Sequence, residues 1–227
     1  MILDPLYFVF FIPGLLFSMW ASFKTKSAFN KYSKVRSASG MTGAQAAQRL
    51  LDSAGIRDVE VVRARGFLSD HYNPLTKKLA LSDPVYDQPS LSAIGVACHE
   101  AGHAIQHQVG YFPLKIRSAL VPTAGIGSKL GYFVLFAGLI MQNVTIGLVG
   151  VGLIGLVLLF QLVTLPVEFD ATARAKKLAF SQGLVLEQER RGMGAVLNAA
   201  ALTYVAAAAL TLVYYLIRLG VLGGRSD

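Results

Sequence analysis

Four stretches of the chain are apolar almost without interruption, and each approaches the roughly 20 residues that a helix needs to cross a bilayer. They cover residues 2–23, 119–141, 144–165 and 196–219. The first is broken by Asp4, Pro5 and Pro13, and no basic residue precedes it, so it reads as a retained anchor rather than a cleaved signal peptide. The second and third stand back to back across Gln142-Asn143 and predict a helical hairpin. The fourth is rich in alanine, from Ala199 to Ala201 and from Ala206 to Ala209, which allows close helix contact in lipid. The second stretch is the weakest: Lys129 sits inside it, and Gly125, Gly127 and Gly131 loosen its first half. Either Lys129 faces a protein or water-lined interior, or the span begins near Leu130 after an amphipathic interfacial piece.

Between the first and second stretches the pattern changes. Residues 41–54 repeat apolar positions at helical spacing, with Thr42 placed to cap, Ala46, Ala47, Leu50 and Leu51 on one side, and Gly55 to end the helix. Residues 59–62 and 66–69 are short strand candidates, and 72–82 reads as a hairpin turning at Asn73-Pro74. Residues 83–89 predict a loop. Ser90 then caps a helix running to about Gln108, closed by Gly110 and Pro113. The resulting division is an anchor (1–23), a soluble domain (24–118), a transmembrane hairpin (119–165), a helical segment (166–195) and a last membrane helix with a short tail (196–227).

Composition supports a membrane protein: of 227 residues, 54% are apolar and only 15% charged, against about 25% charged in soluble domains. The mean hydropathy is +0.52 and the pI near 9.7. The single cysteine, Cys98, excludes an internal disulfide. A net charge of +8 invites a nucleic-acid partner, but its distribution argues otherwise. Of 21 basic residues, 13 lie between Lys24 and Arg117 and five between Arg174 and Arg191. Four antiparallel spans place both groups on one side, which the positive-inside rule makes the cytoplasm, with both termini outside. The charge is therefore a topology signal, and no nucleic-acid partner is expected.

The candidate chemistry lies in the helix that Ser90 caps. His99-Glu100-Ala101-Gly102-His103 is an HExxH motif, and residues four apart on a helix share one face, so both imidazoles can reach one Zn²⁺. Glu100, beside the first ligand, can act as general base on a zinc-bound water. Gly102 removes bulk beside the metal. The chain has only four histidines, and three of them fall within nine residues here.

Catalytic zinc usually has three protein ligands and an open position. Position 109 is Val, so the extended metzincin motif fails, and His107 reads as an interfacial or solvated histidine. Glu168 is the better third ligand. It stands in a helix expected to begin anew, with Thr164 as cap and Pro166 in the first turn. The chain crosses the membrane twice between His103 and Glu168, which returns both to one side. The competing reading is a first-turn Glu facing the helix dipole.

Several separate segments then converge on one resemblance. Asp70-His71-Tyr72-Asn73-Pro74, Val96-Ala97-Cys98-His99-Glu100-Ala101-Gly102-His103-Ala104-Ile105-Gln106, Leu165-Pro166-Val167-Glu168-Phe169-Asp170-Ala171 and Leu197-Asn198-Ala199-Ala200-Ala201-Leu202-Thr203-Tyr204 resemble the YugP-like neutral zinc metallopeptidases of bacterial membranes. The resemblance covers nearly the whole chain from Tyr7. It implies a mainly α integral membrane protein of about four transmembrane helices, with a small α+β zincin-like catalytic domain facing the cytoplasm of a bacterial inner membrane. It further implies a gluzincin-type endopeptidase, distantly similar to HtpX-type proteases. One Zn²⁺ per chain would be held by His99, His103 and Glu168, with Glu100 as general base. Substrates would be membrane-associated peptides or proteins.

One position departs from the pattern. HtpX-type enzymes carry an Asp four residues after the ligand Glu, and here that position is Thr172. Asp170 is a substitute, although two residues along a helix point it elsewhere. The hairpin edge offers a place for an extended substrate to add, with His71 or Tyr72 as candidate oxyanion donors or plain turn-flanking residues. Cys98 reads as packing. Two rival functions are a catalytically silent zinc-binding scaffold or holdase, which has no need of Glu100, and a transport component, which lacks paired intramembrane carboxylates.

Overall fold

The computed structural model describes residues 5–66 and 69–218. The order is α1 (Pro5–Tyr32), α2 (Gly43–Ser53), β1 (Glu60–Ala64), β2 (His71–Asn73), β3 (Lys78–Ser82), α3 (Asp83–Tyr86), α4 (Leu91–Gln108), α5 (Phe112–Ile140), α6 (Val144–Ser181), a 3₁₀ turn (Glu187–Glu189) and α7 (Arg190–Arg218). The chain divides into two units. One comprises Met1–Ala21, Lys115–Leu165 and Thr203–Asp227, the other Ser22–Leu114 and Pro166–Leu202.

The first unit is built from apolar helix. Among the described residues three helices are long and apolar enough to cross a membrane: Phe112–Ile140, Val144–Ser181 and Glu187–Ile217. The expected first span is helical from Pro5 as part of α1, and residues 1–4 lie outside the described residues. Lys129 lies exposed within a continuous α5, so no break precedes Leu130. The glycines of α5 have a packing role that the sequence reading missed. A Cβ on Gly127 or Gly131 would press on Leu153 or Ile154, and one on Gly138 would overlap the backbone of Gly147. Glycine thus seats α5 against α6, as small residues do where both helices face lipid.

The second unit is a small α+β body. Thr42 caps α2 with a full capping box: its hydroxyl accepts from the Gln45 N–H, and the Gln45 side-chain oxygen accepts from the Thr42 N–H. Strand order is β1-β3-β2, with β3 parallel to β1 and antiparallel to β2. The hairpin is therefore present, and β1 joins it from the far side of β3. Of the second strand candidate, Gly66 sits in a bend at φ +106°, and residues 67–68 lie outside the described residues. Residues 83–86 form the short α3 instead of a loop, with Pro84 in its first turn. The core gathers Leu50 and Leu51 of α2, Leu79 and Leu81 of β3, Ile94 and Ala97 of α4, Ala175 and Ala179 of α6 and Leu197 of α7.

Helix α4 starts where expected, with Ser90 accepting from the Ala93 N–H, and ends before Gly110 at φ +66°. Pro113 belongs to the first turn of α5 rather than to the closure of α4. A second correction concerns Glu168. It does not begin a new helix: α6 runs unbroken through Pro166, and Thr164 is internal. The Thr164 hydroxyl donates to the Phe160 carbonyl one turn back at 2.7 Å, so it satisfies its own helix instead of capping another.

Candidate metal centre

His99 and His103 leave α4 from one face, their rings edge to face with centroids 4.8 Å apart. Helix α6 sets Glu168 against both. Its Oε2 lies 3.0 Å from Nε2 of His99 and 3.6 Å from Nε2 of His103. These three residues each offer a ligand atom, all within 4.8 Å of one another. Tetrahedral zinc with N and O ligands at about 2.0–2.1 Å separates neighbouring donors by about 3.3 Å. The two separations from Glu168 bracket that value, the three donors all lie within 4.8 Å, and three donors are one short of a tetrahedron. The residues present therefore fit zinc.

Glu168 is 1% exposed. Burial raises its pKa, but hydrogen bonds and charge from His103 and His99 outweigh burial and hold the carboxyl well below the usual carboxylate range. It lies beyond the apolar run of α6 and is ionised, as a metal ligand must be.

The outer nitrogens of both imidazoles are also engaged. Fully buried Gln106 places its amide nitrogen 2.8 Å from the Val167 carbonyl and 2.8 Å from Asp170 Oδ2. Both of those partners are acceptors, so the amide nitrogen must face them and the amide oxygen must accept. That oxygen is 3.0 Å from Nδ1 of His103. Nδ1 of His103 therefore carries a proton and donates, so Nε2 is the nitrogen a metal would bind, in place of the proton that it directs at Glu168. On the other side, Thr172 Oγ1 is 3.3 Å from Nδ1 of His99. Asp170 also accepts from Arg174 Nε at 2.5 Å, and the Arg174 guanidinium lies 5.8 Å from the Tyr111 ring centroid.

The structure bears on the sequence reading at four residues. Thr172, the position that departs from the HtpX-type pattern, itself faces a histidine of the cluster. Asp170 does point away from the three clustered residues, and it reaches His103 through Gln106. Gln106 received no role from sequence, although its place three residues after His103 puts it on the same face of α4. Gly102 is the fourth. A Cβ there would stand 2.8 Å from the Ala171 carbonyl oxygen, so the missing side chain makes room for α6.

The remaining candidates lie elsewhere. His107 is not among the clustered residues; its Nδ1 is 2.8 Å from the Tyr72 hydroxyl. His71 is exposed on β2, with Nδ1 2.8 Å from the Ser69 carbonyl. The neighbouring motif residues shape the hairpin. Asp70 accepts from the N–H and hydroxyl of Ser82, and Asn73 from the N–H of Leu75 and Thr76. Cys98 is buried in the core, and burial pushes its thiol up to about 12. Glu100 follows His99 on α4 and is 8% exposed.

Two histidines one turn apart with a buried carboxylate opposite them form a candidate metal site, in a chain whose described residues include three helices long and apolar enough to cross a membrane. The chain belongs to the family described as "Putative neutral zinc metallopeptidase", whose model matches residues 7–222. It is 46% identical over 201 residues to the "Putative membrane protease YugP" of Bacillus subtilis (strain 168), a match covering 88% of this chain and 89% of that protein. No solved structure matches the chain. The family resemblance drawn from the motifs is thus borne out, and zinc is the metal that the family implies.

Proposed function

We propose that the protein is a membrane-embedded, zinc-dependent endopeptidase that cleaves membrane-associated proteins at the cytoplasmic face of a bacterial inner membrane. The observation that carries this reading is the orientation of the two histidines, each with Nε2 toward buried Glu168 and Nδ1 toward an outer hydrogen-bond partner. His99, His103 and Glu168 hold one zinc per chain in a gluzincin-type arrangement. When bound, zinc supplies Lewis acidity, making a water acidic and polarising a scissile carbonyl. Glu100 takes the proton from the attacking water and returns it to the leaving amine. The edge strand β2, which carries His71 and Tyr72, offers main-chain groups along which an extended substrate can align.

Four spans, with α1 as the first and both termini outside, accommodate the basic residues flanking the apolar runs. The experiment uses the full chain purified in detergent, with zinc content measured and cleavage of an unstructured casein-like substrate compared between wild type and Glu100→Gln. The expected result is zinc in both and a loss of activity of about 10²–10⁴-fold in the variant. Zinc-loaded wild type no more active than Glu100→Gln across several unstructured substrates would overturn the peptidase reading in favour of a silent zinc-binding scaffold.

A further inference from the structure

A cavity of about 850 Å³ opens on the C-terminal half of α6 and the first turns of α7, and none of the metal-site residues lines it. Its wall carries three cations, Lys176, Arg190 and Arg191, and one carboxylate, Glu187. Arg190 is committed: it pairs with Glu187 at 3.2 Å and lies over the Phe180 ring at 3.8 Å. The other two have no carboxylate partner among the described residues. Lys176 donates to a neutral amide oxygen, Oδ1 of Asn198, at 2.6 Å. The cavity thus holds uncompensated positive charge beside apolar wall from Phe180, Val185 and Met193.

Its place along the chain selects the ligand. Asn198 lies inside the apolar run that begins at residue 196, so Lys176 is held level with the polar end of a membrane span. Arg191 precedes that run by five residues, or about 7.5 Å of helix. Cations at this level meet the phosphates of lipid headgroups, and an adjoining apolar wall meets the glycerol and upper acyl chain. A free phosphate would use the cations but not the apolar wall.

We infer that this cavity is a binding site for the phosphate-bearing headgroup of an anionic phospholipid. The inference requires only that α6 and α7 cross a bilayer, and it stands apart from the peptidase reading.

The test uses the full chain, zinc-loaded, in nanodiscs of phosphatidylcholine with and without phosphatidylglycerol. After release into detergent, retained lipid is counted by native mass spectrometry. Wild type should retain phosphatidylglycerol over phosphatidylcholine by about tenfold or more, and Lys176→Gln with Arg191→Gln should abolish the preference. The charge-retaining pair Lys176→Arg with Arg191→Lys should restore it, which separates charge from misfolding. A control pair outside the cavity, Lys31→Gln with Lys34→Gln, should leave it intact. Inorganic phosphate at millimolar concentration should not displace the lipid. Equal retention of the two lipids, an unchanged preference in the neutral pair, or displacement by inorganic phosphate or a polyglutamate peptide would overturn the inference.

Discussion

Gly102 and Ala171 meet where α4 crosses α6: a Cβ on Gly102 would lie 2.8 Å from the Ala171 carbonyl oxygen. The obstacle is backbone, which cannot rotate aside. Gly102→Ala must therefore separate the helices by several tenths of an ångström, and Glu168, three residues before Ala171, moves away from the histidines. Overpacking of this kind costs about 1–3 kcal/mol. Gly102→Ala should lower the thermal midpoint and weaken zinc binding together, whereas Gly125→Ala, which meets nothing within 4 Å, should do neither. Zinc affinity unchanged in Gly102→Ala would show that the close approach does not set the site.

Gln106 should matter to zinc without touching it. Its amide fixes the proton on Nδ1 of His103 and is itself held by Asp170 and Val167. Gln106→Leu removes the acceptor and leaves the imidazole free to take the wrong tautomer. The expected loss of zinc affinity is about 10–100-fold, measured by competition with a chelator. Thr172→Val should weaken zinc less, because its contact with His99 is longer at 3.3 Å, and Thr172→Ser should retain it. Equal affinities in wild type and Gln106→Leu would remove Gln106 from the support of the site.

Why the sequence revealed the two histidines but not their supports is a matter of range. The pair on α4 is local: a capped helix, a four-residue spacing and a glycine stop are all contained in one segment. Glu168 was legible only through topology and motif, and its local setting was misread. Thr164 and Pro166 carry the marks of a helix start, yet α6 continues, with the Thr164 hydroxyl bonded back to Phe160. The hairpin β2–β3 was visible from its turn, whereas the parallel pairing of β1 with β3 depends on a distant partner. Likewise Gly102, Gly127 and Gly131 looked like space or looseness in one dimension and proved to be contacts between helices.

The assignment of the third ligand separates cleanly from the fourth histidine. His107 continues the four-residue series on α4 but hydrogen-bonds Tyr72 instead of joining the cluster. Zinc measured by elemental analysis after dialysis should stay near stoichiometric in His107→Ala and fall to background in Glu168→Ala. The reverse result would exchange the two roles. Tyr72→Phe should likewise retain zinc.

Zinc removal should destabilise the fold, and the size of the effect should depend on pH. At free zinc about 1,000 times its Kd, binding adds about 4 kcal/mol to stability, so chelation should lower the unfolding midpoint clearly at pH 7. Binding requires neutral imidazoles and an ionised carboxylate. Burial raises the Glu168 pKa, but the hydrogen bonds and charge of His103 and His99 more than offset that and hold it well below the carboxylate range. A depressed acid stays ionised as pH falls, so its own contribution is complete above the ordinary carboxylate range and is lost as pH falls through that range toward the lowered pKa. Protons compete with a metal for imidazole nitrogens, so the gap in midpoint between zinc-loaded and chelated protein should shrink as pH falls from 7 to about 5, an interval over which Glu168 remains charged. A gap that holds constant over that interval would mean that His99 and His103 do not bind the metal.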